Sequence, residues 1–365
     1  MSPDRPAAAP VVWLLEAVRI PGGASSNVHV HASALLMVMI DTICCWAPWT
    51  RSPRLGALPW IGLTSCIGPL MWFRIDLIPA DAAIGLGAAM RLWSALLILP
   101  LLGADRPGRR RGLGFALAGG TLGAASRIAE GWGRSSSPLA WQDGRGLQVG
   151  PVWATPLVAA RMFSGDWHVR LSRYNAHEVF GPGAHALARA ASDSMLVVAL
   201  PCLVLGRLIG FGGAGLCGHR VSNALAPCRR RDRELALLLE LGAVVCAVIV
   251  ANRAFSPQHV IWLAGPFAVL GSVHLRSSDR RHATALLIMT LCCAGLTQLI
   301  FYSSLVAPDD PGARVSVLPV VRNLLVRLLA VYSAVPAPSR AWRLGRPVPG
   351  QLALSIQSDD EEPHE

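Results

Sequence analysis

The sequence contains no lysine, so each of its 33 basic residues is an arginine. Charged residues of both signs make up only 15% of the 365 positions, whereas a soluble domain usually carries about a quarter. Hydrophobic residues account for 53%. This balance argues against a water-soluble protein, which would have no way to cover so many apolar helices.

The chain also lacks any C-x-x-C motif, although it has nine cysteines. Cys44-Cys45 and Cys292-Cys293 lie within apolar runs, where a free thiol behaves as a small hydrophobic side chain. The cysteines therefore predict neither a zinc site nor a disulfide framework. We expect no metal and no cofactor.

The net charge of +11 is high enough to suggest a nucleic-acid partner, but the placement of the arginines argues otherwise. The charges fall in loops between apolar blocks. We therefore expect no nucleic-acid partner.

The apolar residues are grouped in runs of about 20, the length that crosses a bilayer as a helix. We predict nine full spans, at residues 32–48, 55–73, 82–103, 112–129, 191–211, 235–251, 259–275, 283–305 and 315–335. A tenth apolar piece, residues 152–163, is too short to cross and is predicted as a re-entrant or surface helix. The expected fold is an all-α, polytopic transmembrane helix bundle.

Arginine placement predicts the orientation of this bundle, because cytoplasmic loops of membrane proteins are enriched in basic residues. If the nine spans alternate, five arginine clusters fall on one side, near residues 51–54, 106–111, 220–233, 276–281 and 340–346. The C-terminus is then cytoplasmic and the N-terminus extracytoplasmic. The expected division is an extracytoplasmic segment 1–31, a transmembrane domain 32–337 and a disordered cytoplasmic tail 338–365 with an acidic end.

Two extracytoplasmic segments carry polar residues that a simple spanning bundle does not need. FRIDLIPA places Arg74 and Asp76 beside a membrane boundary, where they could also be a topological anchor. QDGRGLQV places Arg145 and Gln148 one turn apart if the segment is helical. Both segments are candidates for contacts with a polar ligand.

The segment FSPQHVIWL combines a helix start with polar side chains. Pro257 suits the first turn of a helix, Ser256 suits its cap, and Gln258 and His259 follow at the positive end of the helix. A helix N-terminus beside arginines is a suitable seat for a lipid phosphate.

A last polar group lies deep within apolar helices, where Gln298 precedes the pair Arg322-Asn323. An arginine at that depth is costly unless it faces a partner or a cavity. We therefore expect Arg322 to face the interior of the bundle.

The order of these segments resembles that of a known family of membrane enzymes. DGRGLQVGPVWATPL and SPQHVIWL are similar to two motifs of bacterial glycosyltransferase family 87, which belongs to the GT-C class. RIDLIPA, GAAMRLWSALLILPLL and LTQLIFYSSL with VRNLLV are similar to further family segments in the same order. The resemblance runs from about residue 10 to residue 336.

The resemblance implies a multi-pass protein of the bacterial plasma membrane that transfers a sugar, usually mannose, from a polyprenyl-phosphate donor. The acceptor would be an extracytoplasmic hydroxyl of a lipid or glycan in cell-envelope synthesis. Such a transfer needs a base for the acceptor proton and positive groups for the departing phosphate. Arg74, Arg145, Gln148, Ser256, Gln258 and His259 are the expected contacts to phosphate or sugar, and membrane lipids are expected neighbours.

The chain departs from the family pattern where the reaction is most demanding. Family members carry an acidic general base in the loop after their first span, and no segment here matches that span or loop. Asp76 is a weak substitute for the base, and the residues responsible for catalysis stay unassigned. The family's Glu-Ser after "RGLQ" is Gly150-Pro151 in this sequence.

Two interpretations therefore stay open. One is an active glycosyltransferase-like protein, and the other is an inactive or truncated relative that binds lipid. Without the expected base, little or no glycosyl transfer is expected, because general-base assistance is worth roughly a hundredfold to ten-thousandfold in rate. A transporter is a third class, but no inverted repeat or pair of broken helices supports it.

Overall fold

A computed structural model describes the parts of the chain that form the C-terminal bundle and the segment before it. The described residues are 57–67, 145–173, 176–195, 197–198, 226–255, 257–272, 277–306 and 313–334, with scattered helical residues at 38–46 and 109–128. The predicted span at residues 82–103, the N-terminal segment 1–31 and the tail from residue 338 lie outside the described residues.

Most of the described residues are helical. The helices are α1 (Leu58–Ile67), α2 (Thr155–Ala160), α3 (Ala226–Ala251), α4 (Ala264–Ser272), α5 (Ser277–Val306) and α6 (Ala313–Ala334). A further helix covers residues 184–195. Two 3-10 helices, Val152–Ala154 and Pro257–Leu263, lead directly into α2 and α4.

Three of these helices are long and apolar enough to cross a membrane. The qualifying stretches are Glu234–Ala251 in α3, Asp279–Phe301 in α5 and Val317–Ala334 in α6. Each coincides with a span predicted from the sequence, and α3 ends at Ala251 as predicted. It begins well before its apolar stretch, since arginine is a good helix former and continues the helix beyond the hydrophobic residues.

The predicted span at residues 259–275 has a different structure. Its first part belongs to the 3-10 helix that begins at Pro257, and α4 follows with only nine residues. Pro266 explains why the 3-10 helix changes to an α-helix at Ala264. The ring of a proline inside an α-helix collides with the carbonyl four residues earlier, so the turn before Pro266 cannot continue as a regular α-helix. Pro257 begins the helical segment as predicted.

Helix α6 has a row of apolar side chains on its exposed face and several polar side chains on its buried face. Val317, Val321, Leu324, Leu328 and Val331 recur every three or four residues and are all exposed. Three polar residues on the opposite face, Arg322, Asn323 and Ser333, are buried. A helix in water shows the reverse arrangement, so this pattern is typical of a helix whose outer face contacts lipid.

The main hydrophobic core lies where α1, α3, α4, α5 and α6 meet. Its largest fully buried side chains include Trp60, Leu239, Ile249, Leu263 and Phe267. Small residues let the helix axes approach closely at this core. A β-carbon added at Gly242 of α3 would lie only 2.6 and 2.9 Å from two carbons of the Phe267 ring in α4.

This contact predicts that Gly242→Ala is destabilising although alanine is the better helix former. We expect an overpacking cost of about 1–3 kcal/mol, which exceeds the gain of about 1 kcal/mol in helix propensity. The unfolding midpoint of the purified protein in detergent measures the effect. Adding Phe267→Leu should recover part of the loss.

Gly295→Ala in α5 is the matched control, because an added β-carbon there meets nothing within 4 Å. That substitution should leave the midpoint unchanged or raise it slightly. Equal destabilisation by both alanines would show that the close approach of α3 and α4 does not limit the size of residue 242.

A small β-structure precedes the bundle and was not predicted from the sequence. Strands β1 (His168–Leu171) and β2 (His177–Phe180) form an antiparallel hairpin. Residues 147–149 pair with β2 from the other side: Val149 N–H donates to His177 O at 3.0 Å, and Val179 N–H donates to Leu147 O at 2.8 Å. A second apolar cluster, which includes Leu147, Leu157, Val158, Val179 and Ala188, packs this sheet against α2 and the helix at residues 184–195.

Candidate functional site

The segment from Arg145 to Thr155 lies at the centre of the candidate site. One edge of residues 147–149 pairs with β2, and on the other edge Gln148 N–H donates to Arg253 O at 3.3 Å. The short extended segment therefore lies between the hairpin and the residues that follow α3. The helical piece predicted at residues 152–163 comes next as a 3-10 turn and the six-residue α2, which are too short to cross a bilayer.

The side chain of Gln148 connects two of the polar motifs. Its Oε1 accepts a hydrogen bond of 3.1 Å from the backbone N–H of Phe255, although 107 residues separate them in the chain. Only 7% of Gln148 is exposed. Because an amide oxygen buried in this way must find a donor, this hydrogen bond fixes the position of the QDGRGLQV segment relative to the FSPQHVIWL segment.

The Arg322-Asn323 pair reaches the same place from α6. The amide nitrogen of Asn323 donates to Pro151 O and to Thr155 Oγ1, both at 3.0 Å. Arg322 Nη2 donates to Gly150 O, and Arg322 Nε and Nη2 both donate to Asn323 Oδ1, at 3.1 and 2.8 Å. Arg322 and Asn323 are each only 2% exposed, so α6 is joined to the motif segment by buried hydrogen bonds.

The guanidinium group of Arg322 also lies over an aromatic ring. Its Cζ is 4.3 Å from the centroid of Phe255, a distance at which the ring attracts a cation. Arg327, which is exposed and lies further along α6, donates from Nη2 to Val152 O at 3.3 Å. Two arginines of one helix therefore bind the carbonyl oxygens of Gly150 and Val152, on either side of the Pro151 carbonyl that Asn323 binds.

His259 lies in an aromatic cluster beside this network. Its ring stacks on Trp262 at 4.2 Å between centroids and meets Phe255 edge-on at 5.5 Å. His259 is 6% exposed. Phe255 therefore contacts both Arg322 of α6 and His259 of the FSPQHVIWL segment.

The structure brings together some of the residues predicted for the site. Gln148 and His259 both lie against Phe255, and Arg145 is half-buried at the start of the same motif segment. Gln258 lies in the 3-10 helix between Phe255 and His259. Arg74, Asp76 and Ser256 lie outside the described residues, so their place in the site stays a prediction.

Glu178 is a further candidate that the sequence analysis missed. It is the backbone partner of Gln148 across the pairing of β2 with residues 147–149, so both side chains lie on the face opposite Leu147 and Val179. Glu178 is 4% exposed, and its Oε1 has no hydrogen-bond partner. The only signal in the sequence that could have indicated Glu178 was the strand HEVF, and four residues are too few to predict a hairpin.

Gly146 is packed directly against this carboxylate. A β-carbon at residue 146 would lie 2.6 Å from Glu178 Oε2. In the described part of the chain, no group of three or more histidine, cysteine, aspartate or glutamate side chains is placed to hold a metal ion. The polar groups of the site are therefore arginines, amides, a hydroxyl, an imidazole, carbonyl oxygens and one carboxylate.

No protein-family model matches the chain, and neither a curated protein nor a solved structure is significantly similar to it.

Proposed function

We propose that this chain is a multi-pass membrane protein of the GT-C type that binds a polyprenyl-phosphate sugar and transfers the sugar to an extracytoplasmic hydroxyl. The donor sugar is proposed to be mannose and the location the bacterial plasma membrane. The proposal includes the nine-span topology, of which three long helices belong to the described residues.

The observation that carries the proposal is the convergence of three polar motifs. They are far apart in the sequence and are the ones that resemble family 87. They meet through the bonds of Gln148 to Phe255 and of Arg322 to Gly150, and through the contact of Arg322 with Phe255. A helix bundle needs no such buried polar contacts for its stability, because apolar residues of similar size would serve as well or better.

The chemistry of the converging groups fits a sugar phosphate. Arginine is suited to phosphate because its planar group presents several donors, and amides and carboxylates bind hydroxyl groups. Under this proposal Arg74, Arg145, Ser256, Gln258 and His259 contact the donor. Glu178 adds an acidic group on the face of the sheet that carries the side chain of Gln148.

A second candidate function is lipid-phosphate binding without transfer. Gly150 favours it, because the family pattern has glutamate at this position and the contact at Gly150 leaves no room for a side chain. A β-carbon there would lie 2.6 Å from the backbone oxygen of Phe255. The site therefore differs from the family pattern in sequence, and the space at residue 150 does not admit the glutamate of that pattern.

An assay with the purified chain in nanodiscs separates the two functions. The chain is supplied with polyprenyl-phosphate-mannose and a membrane acceptor, and both binding and transfer are measured. We expect any transfer to be slow, because no segment matches the family's general base. We expect Arg145→Gln to slow it further, on the order of a hundredfold, the usual cost of losing one group that stabilises developing charge.

Arg189→Gln removes the same charge from an exposed position in the helix at residues 184–195 and serves as the control. Binding with no transfer would favour the second candidate. If the folded chain neither bound the donor nor transferred its sugar, both functions would be wrong.

A further inference from the structure

Arg322 carries a buried positive charge that no acid among the described residues balances. Its hydrogen bonds go to Gly150 O and Asn323 Oδ1, which are neutral acceptors. Among the described residues no carboxylate forms an ion pair with Arg322, and its hydrogen bonds come from Nε and Nη2. A buried charge in a protein is ordinarily paired, because removing an ion from water is costly.

The position of Arg322 in α6 makes this charge more unusual. It lies five residues inside the apolar stretch Val317–Ala334, which at the rise of an α-helix is about 8 Å below the start of that stretch. Charged side chains at such depths are rare and ordinarily face a partner or an ion pathway. Arg322 is only 2% exposed, so its guanidinium group points inward.

The surroundings hold Arg322 in one orientation. Asn323 receives two of its N–H groups, Gly150 O receives another, and the Phe255 ring covers the plane of the guanidinium group. A side chain fixed in this way has already lost its conformational freedom. The binding of an anion therefore does not carry the additional entropic cost of ordering the side chain. The remaining nitrogen, Nη1, is the one that such an anion would contact.

We propose that Arg322 is a phosphate-binding group of this protein and that a phosphate monoester or diester on a membrane lipid supplies a counter-charge that the described residues lack. This inference rests on the proposed function, in which the donor carries such a phosphate. Arg145, His259 and the other residues predicted from the sequence then contact the phosphate or the sugar of the same ligand. Arg322 itself was predicted only to face the interior.

The test measures binding of dodecyl phosphate to the purified full-length chain in non-ionic detergent, by the rise of the unfolding midpoint and by titration. Dodecanol, dodecyltrimethylammonium and inorganic phosphate are the comparison probes. Only the two phosphates should stabilise wild type if the site selects negative charge. Tighter binding of dodecyl phosphate than of inorganic phosphate identifies a lipid as the source, whereas equal affinities indicate a free phosphate at the same site.

Arg322→Gln should weaken the binding of dodecyl phosphate by at least about tenfold, because charge-assisted hydrogen bonds are roughly twice as strong as neutral ones. Arg189→Gln, which removes an exposed arginine, should leave the affinity unchanged. Wild-type affinity in Arg322→Gln would overturn the proposal. Stabilisation of wild type by dodecanol or the cationic probe to the same degree would also overturn it, and this comparison needs no variant.

The result is independent of the proposed transfer reaction, since dodecyl phosphate carries no sugar. Arg322-dependent binding without mannosyl transfer would support the phosphate site and contradict the transferase. Mannosyl transfer at the wild-type rate by Arg322→Gln would contradict the phosphate site and leave the transferase standing.

Discussion

Replacing Asn323 by alanine should be among the most damaging single substitutions in the described part of the chain. The amide of Asn323 donates to Pro151 O and Thr155 Oγ1, and its oxygen accepts from Arg322. Alanine would leave these three buried groups without that partner. Pro151 O would keep its bond from Ala154 N–H and Thr155 Oγ1 its bond to Val152 O, so Arg322 Nε is the group that loses its sole partner. An unsatisfied buried group costs about 1–3 kcal/mol and a charged one more, so we expect a loss of about 3 kcal/mol in the free energy of unfolding.

Leu324→Ala is the matched control, because Leu324 is the next residue of α6 and lies on its exposed face. That change should have a much smaller effect in detergent. The two variants can be compared by their unfolding midpoints and by the rate at which a protease cleaves the peptide bond that follows Arg145. Similar midpoints for both would mean that the hydrogen bonds between α6 and residues 151–155 contribute little.

Gly150→Ala should be the second large effect. The new β-carbon would lie 2.6 Å from Phe255 O and 3.4 Å from its β-carbon. A backbone oxygen cannot rotate away as a side chain can, so residues 148–150 would have to move away from residues 253–255. We expect a cost of about 2–3 kcal/mol, toward the upper end for overpacking, and a larger cost for Gly150→Val.

The same change at Gly165 is the comparison, since nothing lies within 4 Å of an added β-carbon there. Gly150→Ala should also weaken dodecyl phosphate binding, because Gly150 O holds Arg322. A variant with the wild-type midpoint and wild-type affinity would show that the segment shifts freely and that Phe255 does not limit residue 150.

The sequence predicts the long helices well because their signal is local. The apolar block of α3 ends where Asn252 and Arg253 begin, and the helix ends at Ala251. The outcome at residues 257–272 depended on Pro266, whose effect on the preceding turn is visible only when the backbone conformation is known. The hairpin was missed because four-residue strands with exposed histidine and arginine carry almost no periodic pattern.

The site was predictable in part for a similar reason. Gln148, His259 and Arg322 are polar side chains in apolar surroundings, and such residues are visible in a sequence. The hydrogen-bond partners in the site carry no such signal. Gly150 O, Pro151 O and the N–H of Phe255 are backbone groups that nearly every residue possesses. Because these groups have no sequence signature, the pairing of α6 with residues 150–155 required coordinates.

The bonds that hold residues 148–152 also determine when that segment can fold during synthesis. Gln148 must wait for Phe255, 107 residues later, and Gly150 must wait for Arg322, 172 residues later. Until α6 has left the ribosome, the carbonyl oxygens of Gly150 and Pro151 have none of their final partners on that helix. Contacts of such long range are slow to form, so we expect the ligand site to be the last part of the described chain to assemble.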